Sequence, residues 1–86
     1  MFDLLLDVPA QKFLKKTDVS TASRIIEAIE KLSEDPIPHD SKRIMGDAEK
    51  LFRIRAGKFR ILYRVDYTNR LIVVIKIDSR DKVYDF

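Results

Sequence analysis

Leu51-Phe-Arg-Ile-Arg-Ala-Gly-Lys-Phe-Arg-Ile-Leu-Tyr-Arg-Val-Asp66 decides the fold of this chain. On either side of a turn at Ala56-Gly57-Lys58 the residues alternate. Phe52, Ile54 and Ala56 share one side of the first arm, and Phe59, Ile61, Tyr63 and Val65 one side of the second. Arg53 and Arg55, then Arg60 and Arg64, take the opposite sides together with Leu51 and Leu62. A period of two is the pattern of a half-buried strand, because successive side chains leave a strand on opposite faces. The stretch therefore predicts a hairpin with an apolar back and an arginine-rich front.

Working outward, residues 67–70 read as a turn, and the following Leu71-Ile-Val-Val-Ile-Lys-Ile77 is apolar nearly throughout. A strand of that kind belongs in the interior of a sheet. Upstream, residues 2–8 form a short apolar run that predicts a strand, buried on both faces for part of its length. Pro9 suits the first turn of a helix, where its missing N–H costs nothing. Ala10, Phe13 and Leu14 carry that helix at helical spacing, and Lys15 and Lys16 sit at its C-terminal end, where the dipole favours cations. Asp18 is a cap for a second helix, in which Val19, Ala22, Ile25, Ile26, Ile29 and Leu32 recur every three or four residues. Asp35-Pro36-Ile37-Pro38 closes it. Residues 39–50 show no period and read as a loop. The expectation is one α+β domain over residues 1–86, in the order β-α-α-β-β-β. Its sheet is small, mostly antiparallel and four-stranded, and both helices pack on one face.

Size and composition narrow the function. With 86 residues, 45% of them hydrophobic, the chain can cover one sheet face and little more. It has no cysteine for a disulfide or thiolate site, and its single histidine, His39, has no second ligand at a useful spacing. Its two glycines form no phosphate loop. No apolar run approaches the roughly 20 residues that span a bilayer, and the first residues lack the basic start of a signal peptide. The expectation is a cytoplasmic protein that needs no cofactor or metal and does not bind membranes.

Charge is unevenly spread. Residues 1–49 carry seven cations against ten acids, a balance of −3, whereas residues 50–86 carry ten cations against four acids, a balance of +6. A basic half fits a polyanion or an acidic partner protein. Arg53, Arg55 and Arg60 share a predicted face, with Arg64 and Arg80 further along. Guanidinium groups grip phosphate bidentately and stay charged at any working pH. Such a cluster can hold an RNA backbone, stabilise charge on a phosphate under attack, pair with an acidic protein, or simply keep the face soluble. Tyr84 can stack on a base or supply a proton. Pattern alone does not choose among these.

The hairpin, followed by Ile77-Asp-Ser-Arg-Asp-Lys-Val-Tyr84, resembles the RelE/ParE superfamily of toxins from type II toxin–antitoxin systems, over nearly the whole chain. The specific part is Arg-x-Arg-x-Gly-x-Phe-Arg-x-x-Tyr and then Arg-x-x-Val-Tyr; the helical half is generic. The resemblance implies an mRNA interferase, a metal-independent endoribonuclease that cleaves mRNA in the ribosomal A site and inhibits translation. The 2′-hydroxyl would attack the adjacent phosphate. By the same resemblance the catalytic face comprises Arg53, Arg55, Arg60, Arg80 and Tyr84. Arg60 and Arg80 would stabilise the phosphorane, and Tyr84 would orient or stack the substrate. The implied partners are the ribosome and mRNA, a RelB-like antitoxin, and operator DNA only through the antitoxin complex.

Two pairs of residues depart from the RelE pattern. Arg53 and Arg55 stand where lysines, one of them a general base, are found in RelE, and Asp78-Ser79 replaces Gly-His. With a pKa above roughly 12, arginine is a poor base. The alternatives are a ParE-like toxin that inhibits DNA gyrase by binding, or a catalytically weak toxin that only binds its antitoxin.

Overall fold

The hairpin forms as its alternation predicts. In the computed structural model, which describes residues 1–44 and 51–79, strand β3 is Leu51–Ala56 and β4 is Phe59–Asp66, paired antiparallel from Leu51↔Arg64 to Ala56↔Phe59. Only Gly57 and Lys58 lie between them, and Gly57 adopts φ +62°. A positive φ at the first of two turn residues is the type II′ arrangement, whose twist matches that of the flanking strands. Glycine takes it without steric cost. A Cβ there would also lie 3.2 Å from the Arg24 guanidinium, which reaches the turn from the second helix.

Around the hairpin the elements run β1 (Asp3–Leu6), α1 (Val8–Lys16), α2 (Val19–Leu32), β2 (Lys42–Arg43), β3, β4 and β5 (Leu71–Ser79). They build one mixed five-stranded sheet in the order β1-β5-β4-β3-β2. The strand count differs from the expected four because Lys42 and Arg43 pair with Arg53 and Phe52, and Ile44 N–H donates to the Leu51 carbonyl at 2.9 Å. Two residues are too few to show a period. The first strand runs parallel to β5, from Asp3↔Leu71 to Leu6↔Val74. It alternates exposed and half-buried residues, and Leu5 is 52% exposed, so the expected burial on both faces does not hold. A sheet edge with helices on one side leaves the other side of the strand to solvent.

The back of the sheet is the core. Phe52, Ile54, Ile61, Tyr63, Val65, Ile72, Val74 and Ile77 pack there with Ala10 of α1 and Ile25, Ile29 and Leu32 of α2. α1 lies against β5 and α2 against β3. Each fully buried large aliphatic side chain contributes about 1.5–3 kcal/mol. The stripe on α2 is narrower than its sequence implies, for Val19 and Ile26 of the six apolar positions remain exposed. Asp18 caps α2, its carboxylate accepting from the Thr21 N–H at 3.1 Å. The hydrogen bonds from Thr21 hold the Asp18 carboxyl below its ordinary value. Tyr63 is fully buried and donates its hydroxyl to the Pro36 carbonyl at 2.8 Å, tying the end of the helical layer to the middle of the sheet.

An irregularity in β5 decides what faces outward. Tyr63 pairs with Val74 but Leu62 with Lys76, so Ile75 is an extra residue on β5. A bulge shifts the parity of the strand by one. Ile72 and Val74 face the core before it and Ile77 after it, whereas Lys76 turns to the front. Without the bulge, Lys76 would be driven into the helical layer.

Candidate nucleic-acid interface

Cross-strand partners share a face, so the register fixes the layout of the front. One row runs Lys42, Arg53, Leu62, Lys76 across β2, β3, β4 and β5. The next runs Arg55, Arg60, Asp78 across β3, β4 and β5. A third contains Leu51, Arg64 and Val73. Arg55 and Arg60 are thus direct cross-strand neighbours, and Arg53 is the next front-facing residue along β3. Opposed Cβ atoms stand about 4.5–5.5 Å apart, and like charges so placed destabilise a sheet. Arg53, Arg55 and Arg60 thus form one cationic patch on the front.

Arg55 is exposed, Arg53 and Arg60 are half-buried, and the Nε of Arg60 is buried. Burial of part of a guanidinium fixes its direction, and fixed donors cost no reorganisation when charge develops on a ligand. Asp78 lies beside Arg60 in the register, but its carboxylate accepts from the Ser79 N–H at 2.8 Å. Arg53 and Arg55 line a cavity of ≈180 Å³ with Asp40 and Lys42. That volume admits a phosphate group with part of a sugar. The apolar residues Leu51, Leu62 and Val73 share this face with the cations and are buried.

Three of the five expected site residues, Arg53, Arg55 and Arg60, are therefore brought together on one face. Arg80 and Tyr84, like the rest of the tail, lie outside the described residues. Lys42 and Asp40 join the cavity although the sequence singled out neither; the only signal was their charge, in a segment with no period. Tyr63 cannot serve as an acid for the front. Its ring belongs to the core, and burial pushes its hydroxyl well above the ordinary tyrosine value. His39 is an exposed loop residue. Among the described residues no group of three or more His, Cys, Asp or Glu is placed to hold a metal ion, and no helix is long and apolar enough to cross a membrane.

Comparison with known proteins agrees with this architecture. The sequence model described as "ParE toxin of type II toxin-antitoxin system, parDE" matches residues 4–84. A protein of Methanocaldococcus jannaschii, named "Putative toxin RelE1", is 38% identical over 76 residues, covering 85% of this chain and 83% of its own. The archaeal RelE–RelB complex from Pyrococcus horikoshii contains a chain that superposes with a TM-score of 0.82 at 22% identity, covering 95% of this chain and 98% of that one. The RelB–RelE antitoxin–toxin complex from Methanococcus jannaschii gives a TM-score of 0.72 at 26% identity, covering 95% and 96%.

Proposed function

The chain belongs to the ParE toxin family of type II toxin–antitoxin systems, and from that premise we propose that it is a RelE-type, ribosome-dependent mRNA interferase. The observation that carries this reading is the direct opposition of Arg55 and Arg60, with Arg53 beside them on the same face. A surface meant only to bind an acidic protein gains little from setting two guanidiniums against each other. A phosphate passing through a pentacoordinate state gains from both.

In this reaction the 2′-oxygen bonds to phosphorus and the bond from phosphorus to the 5′-oxygen breaks, leaving a cyclic phosphate and a 5′-hydroxyl. The 2′-hydroxyl proton passes to solvent, and the departing oxygen takes a proton up. Arg53 and Arg55 bind the phosphate and Arg60 neutralises charge that grows on its equatorial oxygens. None of the three is the base, since guanidinium stays protonated. By the family pattern Arg80 and Tyr84 are the remaining catalytic residues.

The toxin is silenced by an acidic RelB-like antitoxin laid over the cationic face, in keeping with the RelB-bound relatives, and the complex reaches operator DNA through that antitoxin. The protein acts in the cytoplasm.

The test is primer extension on a translated message, with and without ribosomes. Cleavage within A-site codons that needs the ribosome supports the reading. The ParE description of the matching family favours one alternative, gyrase inhibition by binding. Intact message together with blocked DNA supercoiling would establish that alternative, and loss of both activities with retained antitoxin binding would identify a toxin that has become catalytically weak.

A further inference from the structure

A cleft of ≈490 Å³ opens where β1 has ended and α1 passes the C-terminal half of β5. Lys12, Lys16, Lys76 and Asp78 line it, with Phe13 and Phe59 among its apolar residues. We propose that single-stranded RNA lying across the front face continues over the edge of β5 into this cleft, where Lys12, Lys16 and Lys76 hold its phosphates beside Phe13 and Phe59. The proposal rests on the reading of the front as an RNA-binding surface and adds a binding path beyond the arginine cluster.

Lys76 belongs to both places. It ends the row that begins with Lys42 and Arg53, and it stands on the rim of the cleft. Neighbouring strands are about 4.8 Å apart, so the row from β2 to β5 spans roughly 14 Å of backbone, a length suited to two or three nucleotides. Lys12 and Lys16 are one helical turn apart on α1, so they point the same way and carry the cationic track past the sheet. Among the described residues Asp78 is the one carboxylate on the lining, set against three lysines, and it accepts from the Ser79 N–H. The rings of Phe13 and Phe59 meet edge to face at 5.4 Å and are only half-buried. A groove that follows the backbone with cations and offers aromatic surface to bases is the recurring form of a single-strand site. The bulge at Ile75 makes the track possible, because it turns Lys76 outward.

An uncleavable 2′-O-methyl RNA octamer and a trimer, each labelled, test this by fluorescence anisotropy against salt concentration. Lys12 and Lys16 are exposed, so Lys12→Glu/Lys16→Glu is expected to fold, with its melting temperature as the check. It is expected to bind the octamer about tenfold more weakly, with a log–log salt slope smaller by about 1.4 for two lost phosphate contacts, while trimer binding is unchanged. Lys15→Glu/Lys31→Glu makes the same change of charge away from the cleft and serves as control. Equal loss in control and test, or an octamer indifferent to the lysine pair, overturns the inference. So does an effect confined to an acidic protein partner, which would make the cleft a protein-docking surface. Octamer binding that survives Arg55→Glu instead defeats the reading of the front face, so the two failures are told apart.

Discussion

The two faces of one sheet divide the labour of this molecule between adjacent residues. Ile61 is wholly buried against the helices, while its neighbour Arg60 faces the front beside Arg55. The same contrast separates Ile54 from Arg55 and Ile77 from Lys76. The back face is held by area removed from water, which is additive and tolerant. The front brings Arg53, Arg55 and Arg60 together on one face, where the proposed substrate is an anion. Substitutions on the back should therefore change stability first, and substitutions on the front should change activity first.

The largest departure from the contrast is expected at Arg55→Glu. A carboxylate would then stand opposite Arg60 in place of a second guanidinium, on an exposed side chain, so thermal stability should change little. Cleavage of ribosome-bound message should fall at least about 100-fold, the scale of removing one charge-stabilising donor. A clear fall in melting temperature would show that the front also carries the fold. Ile61→Ala is the mirror experiment. It removes a fully buried side chain and should cost about 2–5 kcal/mol in denaturant unfolding, with cleavage by the remaining folded protein little changed. Tyr63→Phe should cost about 1 kcal/mol, because the Pro36 carbonyl loses its hydrogen bond, and should leave cleavage intact.

The smallest effect concerns the cap of α2. The Asp18 carboxyl is held below its ordinary value of 3.8 by hydrogen bonds from Thr21. A carboxyl depressed in the folded state adds stability that is fully present above its unfolded value and is lost as pH falls through the folded one. Asp18→Ala should therefore lower the melting temperature slightly near neutral pH, and the gap from wild type should close as pH falls past 3.8 and through the lowered folded value. A gap independent of pH would mean that the cap acts without its charge.

The sequence made the hairpin legible because each arm has a strict period, and the short turn then forced Arg55 and Arg60 into opposition. The second helix was legible through its cap and spacing, though Val19 and Ile26 stay exposed because the sheet covers only part of the stripe. Less could be read where pairing depends on distant partners. Nothing in Asp3–Leu6 states that it will lie parallel to β5 at an edge. Lys42–Arg43 is too short to betray a strand, so Lys42 and Asp40 went unnoticed at the site. The run from Leu71 to Ile77 is apolar almost throughout, which hides the bulge that turns Lys76 to the front. The positions of Arg80 and Tyr84 in the site rest on the family pattern.

Chemistry on RNA is the role proposed for the front-face guanidiniums. Its most direct test is the single-turnover rate at which wild type and Arg60→Ala cut the same ribosome-bound message, on protein samples of matched melting temperature. A rate lower by about 100- to 1,000-fold for the variant, at unchanged stability, is expected. Equal rates would contradict it.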